Sequence, residues 1–423
     1  MQKGCVKKIQ GSTSDMISCL PGNVIEKILT CMPIHDAVRT SILSRKWRYA
    51  WVTLPHLVFD DAFCRESRRT PKDKLMMTIY QVLLLHQGPI LKFKLSLSKL
   101  ESCAEIDQLL LSISNNGIQE LILNIWRGGP YKLPSSIFSY LQLKHLKLHD
   151  CLFNPPPTFK GFSKLLILEL EYVSITSEVF SSLISTCPLL EELNLVICTS
   201  CAYLEIIAPN LKCLYFEGGF SSICFKNTPN LARVSINLYD LMNGEEISKW
   251  VTLFAGLPVI EFLQLNCCCY KLSPVGGVPK KLPTKLSHLK ILKLYTMCME
   301  DANVVSSILC LIRSSPNLEK IAIWACTDEV EVDEPVLKLL EEQGWWDISL
   351  NRLREVELQP ASSTGFELEF IKVLLATSPA LEKMVIEPSS LMDLERYRFL
   401  KEVTQFRRLS PLAEVSYESP FDS

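Results

Sequence analysis

The sequence predicts an α/β chain in two parts, a short all-helical head followed by a solenoid whose parallel strands line the concave face of a horseshoe. Three observations predict it. One phrase, Leu-x-x-Leu-x-Leu with conservative swaps, occurs twelve times between Ile90 and Glu387. Helical patterns alternate with these short runs, as in SEVFSSLISTCP before LEELNL. Finally, 423 residues that are 48% hydrophobic and 21% charged can bury a large core.

The head spans residues 14–61. Pro21 suits the first turn of a helix, which makes Leu20 its N-cap, a place leucine fills poorly because it has no side-chain acceptor. Val24, Ile25, Ile28, Leu29 and Met32 then form an apolar stripe, and Met32-Pro33 ends the helix. A second apolar set follows with Ala37, Val38, Ile42 and Leu43, then Ser44 as a cap, and Trp47 and Trp51 one turn apart. This is more apolar surface than about 45 residues bury internally, and such an excess marks a docking face.

A connector covers residues 62–89. Thr70, Pro71 and Asp73 read as N-cap, first-turn proline and capping-box acid. Leu75, Ile79, Val82 and Leu83 share one helical face and Gly88 supplies a stop. The helix is expected to cap the open end of the solenoid.

The leucine-rich repeats occupy residues 90–345. Their phrases start at Ile90, Ile118, Leu143, Leu165, Leu190, Leu211, Leu231, Ile260, Leu289 and Leu318, with Leu353 and Leu381 beyond. No single unit buries its own apolar side, whereas a stack shares one core. Cys151, Cys198, Cys268 and Cys326 each stand eight residues after a phrase begins, in the slot that turns inward. Pro155–Pro157 and residues 273–283 interrupt the pattern and are expected to be loops.

Residues between the apolar positions face the concave surface. They include Glu169, Glu171, Tyr215, Glu217, Arg233, Phe262, Lys293, Tyr295, Lys320 and Trp324. Tyr215, Arg233, Phe262, Lys293, Tyr295 and Trp324 are the candidate substrate-binding residues, because aromatic anchors and arginine dominate hot spots. The alternative is that the aromatics stack on one another and shield the strands.

Several function classes are disfavoured. A net charge of −2 and a pI near 6.4 lack the broad basic surface that nucleic acid requires. No secretory signal or membrane span is read, which places the chain in the nucleus or cytoplasm with reduced thiols. Cys198 and Cys201 have zinc-like spacing without a second pair, and Cys267–Cys269 would alternate across a strand. His145 and His149 read as solvated rather than metal-binding or catalytic. Arg233 is the one arginine among the concave positions, too few for a phosphate ligand. No catalytic motif, metal site or cofactor is expected.

The head's wording, DMISCLPGNVIEKILTCMPIHDAVRTSILSRKWRYAWVTLPHLVFDD, resembles the F-box of plant F-box proteins. The match rests on Leu20-Pro21, Ala37–Ser41, Leu43-Ser44, Lys46-Trp47-Arg48 and Trp51; Gly22 and Asn23 depart from it, since an acid is common there. Downstream, LREVELQP and FELEFIKVLLATSPALEKMVIEP resemble the FBD segment of a plant subgroup, placing it at residues 346–417 with a polar shielding helix at Leu391–Phe406.

That resemblance implies a substrate receptor. The F-box would dock a Skp-type adaptor, and through it a cullin, by way of Leu20, Pro21, Ile25, Ile28, Leu29, Val38, Leu43, Ser44 and Trp47. The repeats would hold a protein destined for ubiquitination by an SCF-type cullin-RING ligase. A repeat scaffold without a ligase role, or a small-ligand receptor, are the competing readings.

Overall fold

The computed structural model describes residues 16–63, 72–199, 203–238, 256–266, 278–325, 350–360, 365–387 and 393–417, apart from positions 18, 99, 220, 221 and 300, and also residues 254 and 348. The chain divides between Leu143 and Lys144 into two compact units.

In the first unit, α1 (Gly22–Thr30) and α2 (Ile34–Arg39) precede two 3₁₀ turns, Thr40–Ile42 and Ala50–Thr53. Pro21 is the N-cap itself, at φ −61° and ψ 148°, so α1 starts one residue later than expected and Leu20 lies outside it. The Pro21 carbonyl accepts the Val24 and Ile25 N–H groups at 3.0 and 3.1 Å, satisfying the helix start without a polar cap. Met32-Pro33 breaks the helix as expected, and Pro33 caps α2. Ile25, Leu29, Ile34, Ala37, Trp47 and Trp51 fill the head's core.

The head ends in a strand. Leu54, Leu57 and Phe59 form a thirteenth copy of the phrase, all three at 2% exposure or less, and β1 (His56–Asp60) pairs in parallel with β2 (Lys92–Ser96). β2 in turn pairs with β3 (Glu120–Asn124). The all-helical expectation is corrected at residues 56–60, and the strand ladder starts one repeat before Ile90. Helix α3 (Lys72–Leu85) therefore connects β1 to β2 as a crossover instead of capping an end. Met76, Ile79 and Val82 are its buried face, with Leu75 and Leu83 half-buried. Thr70 and Pro71 lie outside the described residues. α4 (Ala104–Ile113) follows β2.

In the second unit the parallel ladder runs through β4 (His145–His149), β5 (Ile167–Glu171), β6 (Glu192–Val196), β7 (Cys213–Gly218), β8 (Arg233–Leu238) and β9 (Phe262–Asn266). It continues with β10 (Ile291–Met297), β11 (Lys320–Ala325), β12 (Glu355–Gln359), β13 (Lys383–Ile386) and β14 (Glu414–Tyr417). All twelve expected first positions are exposed by 2% or less, and a strand starts two residues after each. Register follows from one recurring bond pair. The carbonyl of the phrase's second residue accepts two N–H groups of the next phrase, as Leu166 does from Glu191 and Glu192 at 2.8 and 3.0 Å. Slipping by one residue would turn every leucine to solvent.

The inward slot has a backbone cause. Asp150, Tyr172, Ile197 and Thr296, each seven residues into its phrase, adopt left-handed φ of 48–55°, and Gly218 holds the same place. The first three donate their N–H to the carbonyls of Glu171, Val196 and Glu217 at 2.9, 2.8 and 2.6 Å. This bend takes the chain out of the strand and buries the next side chain, as at Cys151, Val173 and Met297. The Cys151 thiol donates to the His149 carbonyl at 3.3 Å, and the Cys198 thiol to the Leu170 carbonyl at 3.6 Å. Cys268 and Cys326 lie outside the described residues.

Burial pushes the Cys151 thiol up to about 12 and the Cys187 thiol up to about 11, whereas Cys19 and Cys31 are exposed. In a thiol-labelling time course at pH 8, Cys19 and Cys31 should react in the native protein. Cys151 and Cys187 should react only in denaturant, and rapid native labelling of Cys151 would contradict this packing.

Behind the strands lie α5 (Ser177–Ser185), α6 (Ala302–Ser314) and α7 (Gly365–Thr377). Thr176 and Asp301 cap the first two through the N–H groups of Val179 and of Asn303 and Val304. Between the ladder strands, Tyr203–Ile207 and Ser222–Lys226 pair in parallel as a separate two-stranded sheet, where the alternation predicts helices. Asn210, Asn230 and Asn317 tie each repeat to the one before, donating to the carbonyls of Pro188, Pro209 and Ser287 at 2.7–2.8 Å. The Pro155–Pro157 segment is an irregular loop as expected, and residues 273–277 lie outside the described residues. At the C-terminal side, α8 (Asp393–Thr404) buries Phe399 and Val403, yet it is not the last element: β14 pairs with β13 beyond it.

Candidate functional site: two docking surfaces

The first surface belongs to the head. The residues assigned to adaptor binding separate into two sets. Ile25, Leu29 and Trp47 are at most 3% exposed and hold the head together, so their assignment as contact residues is corrected to core. Pro21, Ile28 and Leu43 are exposed, and Leu20, Val38 and Ser44 are half-buried. The apolar stripe of α1 is wide, and the Ala50–Thr53 turn packs against α1 where Ile25 and Leu29, one turn apart, are buried.

Other outward residues were missed. Ile42 is 89% exposed, and Met16, Ile17 and Tyr49 are exposed as well, like Leu43 and Ile28. The missed signal was the 3₁₀ geometry of Thr40–Ile42, whose three-residue turn swings Ile42 away from the face that Ala37 buries. Two side chains fix the segment in front of α1: the Trp47 indole donates to the Ile17 carbonyl at 3.1 Å, and the Lys46 ammonium donates to the Leu20 carbonyl. The buried Trp47 and the exposed Lys46 thus both position the segment that carries Ile17 and Leu20. Covering each large aliphatic here is worth about 1.5–3 kcal/mol.

The second surface is the outward face of the second unit's ladder. Alternate burial confirms that Glu169, Glu171, Tyr215, Glu217, Phe262, Lys293, Tyr295, Lys320 and Trp324 point outward, half-buried, with Arg233 exposed. At its start, Lys147 bridges Glu169 and Glu171 at 3.0 and 2.5 Å, and His145 bonds Glu169 at 2.8 Å. His149, on the same face by alternation, is buried instead, packed on Tyr172 with ring centres 5.2 Å apart.

The hydrogen bond from His145, with Lys147, holds the Glu169 carboxyl down at about 2 against an ordinary 4.5. A depressed carboxylate contributes stability that is complete above the unfolded value and is lost as pH falls through the folded one. Melting temperature should therefore decline between pH 4.5 and 2 in part through Glu169, and Glu169→Gln should flatten that decline. An unchanged slope in Glu169→Gln would remove this network from the acid response.

Further along, the six substrate candidates form two groups. Arg233 lies 4.5 Å over the Phe262 ring, and Tyr215 donates to Glu217 while accepting from Asn237 at 3.3 Å. Tyr215, Arg233 and Phe262 line one side of a shallow depression of about 520 Å³ with Ser235 and Gln264, and Asn194 and the carboxylates Glu169 and Glu192 line the other. Tyr295 and Trp324 stack face to face at 4.4 Å and 10°, beside Lys293. The stacking alternative is thus realised for that pair, which still leaves one ring edge and face half-exposed. Lys320 is held by Glu355 and Glu357 at 3.2 and 2.5 Å.

Among the described residues no group of three metal-ligating side chains occurs and no helix is long and apolar enough to cross a membrane. Cys201 and Cys267–Cys269 lie outside them.

Residues 17–58 match the family model described as F-box domain, and residues 106–323 match the one described as FBD-associated F-box protein At5g56370, LRR repeats. The Arabidopsis thaliana F-box/FBD/LRR-repeat protein At1g13570 is 41% identical over 96% of this chain and 99% of its own length. FBD-associated F-box protein At5g56370 from the same plant is 29% identical over 95% of this chain and 100% of its own. Among solved structures, an internalin from Listeria monocytogenes aligns with a TM-score of 0.35 at 14% identity, over 82% of this chain and 95% of that one. With one relative 41% identical from end to end and family models on both the head and the ladder, this chain belongs to the plant F-box/FBD/LRR-repeat family.

Proposed function

We propose that this chain is the non-catalytic, substrate-selecting subunit of an SCF-type cullin-RING ubiquitin ligase. Its F-box docks a Skp-type adaptor, which links it to a cullin, and its ladder holds the protein to be modified. The observation that carries this reading is the set of outward apolar residues on the F-box, above all Ile42, which is 89% exposed. A solvated head has no use for such residues, and a covered one gains from each.

Truncation at residue 61 is a poor test, because Leu57 and Phe59 in β1 would lose the strand they pack with. The full chain is therefore the proper bait. Purified full-length protein should retain a purified Skp-type adaptor, and the pair should retain a cullin. Failure to retain the adaptor would leave a repeat protein without a ligase role.

A further inference from the structure

The ladder's outward face is unevenly charged. On β8 to β11 the outward positions along the strands carry Arg233, Lys293 and Lys320 and no carboxylate. Lys320 is neutralised by Glu355 and Glu357, whereas neither Arg233 nor Lys293 has a carboxylate at ion-pair distance among the described residues. Glu261 and Glu319 stand at the strand entrances, before this face begins, and Glu261 is matched by Lys290 at 3.1 Å. Acids return on both sides, with Glu171, Glu192 and Glu217 before the patch and Glu355 and Glu357 after it.

Between the two cations lie side chains that donate hydrogen bonds readily, Ser235 and Gln264, and beside them the Tyr295–Trp324 stack. Such a patch offers two positive centres, neutral donors and an aromatic shelf. Arg233 and Lys293 are two strands and two residues apart, about 12 Å between their Cα atoms by ordinary sheet spacing. An extended chain covers that distance in three to four residues, roughly 3.3 Å each.

We infer that β8–β11 bind a short acidic segment of a protein partner, one carboxylate at Arg233, a second three or four residues away at Lys293, and an apolar side chain against Tyr295–Trp324. The flanking glutamates repel a longer acidic run, so they limit the segment to this width. This rests on the substrate-receptor reading only for the partner's fate, not for its capture.

The test is selection of a phage-displayed random dodecapeptide library on the full-length protein, with adaptor retention measured on the same preparation. Recovered peptides should be enriched in Asp or Glu at a spacing of three or four, with an aromatic or large aliphatic residue nearby. Arg233→Glu with Lys293→Glu should weaken them at least about tenfold, as expected for reversing two interfacial charges, and Trp324→Ala should weaken them further. The charge-reversed variant should keep a cooperative native melt near the parent's, and Trp324→Ala should remain folded with a slightly lowered melt from loss of the Tyr295 stack. Recovery of neutral or basic peptides, of none, or of acidic ones indifferent to the charge reversal would overturn the inference. Adaptor retention without acidic peptides would spare the ligase reading, and acidic peptides without adaptor retention would spare this one.

Discussion

Ile28→Asp combined with Leu43→Asp should abolish adaptor retention while leaving the fold intact. Both side chains are exposed, at 37% and 47%, and neither supports the head's core. A carboxylate placed there still reaches water in the free protein and costs about 1 kcal/mol, mostly from helix propensity and the C-terminal dipole at Ile28. Covered by a partner it becomes an unpaired buried charge, so two of them should weaken binding at least about a hundredfold, near 2.7 kcal/mol. Ile25→Asp provides the contrast. Ile25 is 1% exposed, and its replacement should remove binding by unfolding the head, visible as a lowered melt. Normal retention by the exposed pair would show that this face is not the contact.

Gly161→Ala should be among the most damaging single methyl additions in the chain. Gly161 has φ +87°, and a Cβ there would stand 2.3 Å from the Thr186 side chain and 2.4 Å from its carbonyl oxygen. Thr186 is the C-cap of α5, held by the N–H bonds that end the helix, so it cannot move aside without fraying that helix. Left-handed strain adds about 1–2 kcal/mol and the clash about 1–3 kcal/mol. A loss of roughly 2–5 kcal/mol is expected in denaturant unfolding, with the adaptor-binding face unaffected in the folded fraction. Gly129→Ala is the matched control, at φ +78° with open space around the added carbon. It should show the backbone strain alone. Equal losses for both would mean that the Thr186 contact contributes nothing.

The ladder was legible in the sequence because its signal is periodic. Each phrase sets three inward apolar residues among three others, two of which point outward along the strand, and its repetition after a helical or irregular return makes successive strands parallel. The two end strands escaped for different reasons. Leu54-Pro55-His56-Leu57 carries the phrase, but the tryptophans before it, Trp47 and Trp51, read as a continuing helix. Leu412-Ala413-Glu414-Val415-Ser416-Tyr417 also carries the phrase, but its leading leucine is 73% exposed and anchors nothing, and its one strongly apolar strand residue, Val415, gives a weak signal. The left-handed bend at Asp150, Tyr172 and Ile197 has no sequence signature, because ordinary side chains occupy a conformation that glycine usually takes and the neighbouring carbonyls enforce it.

The docking faces were half-legible. Periodicity identifies an apolar stripe but not which part of it a neighbour covers, and the resemblance assigns Ile25, Leu29, Trp47, Ile28 and Leu43 alike to the adaptor; the packing separates the first three from the last two. Along the ladder, alternation alone placed all six substrate candidates on the outward face. What it could not show is pairing across strands: that Tyr295 lies on Trp324, that Arg233 lies on Phe262, and that Lys320 is neutralised while Lys293 is not.

The central claim is that adaptor and client use separate surfaces of one chain. Amide hydrogen exchange of the full-length protein, alone and saturated with a Skp-type adaptor, tests it most directly. Exchange should slow between Ile17 and Tyr49 and stay unchanged on β8–β11. Slowed exchange centred on the ladder, or none anywhere in the presence of bound adaptor, would contradict it.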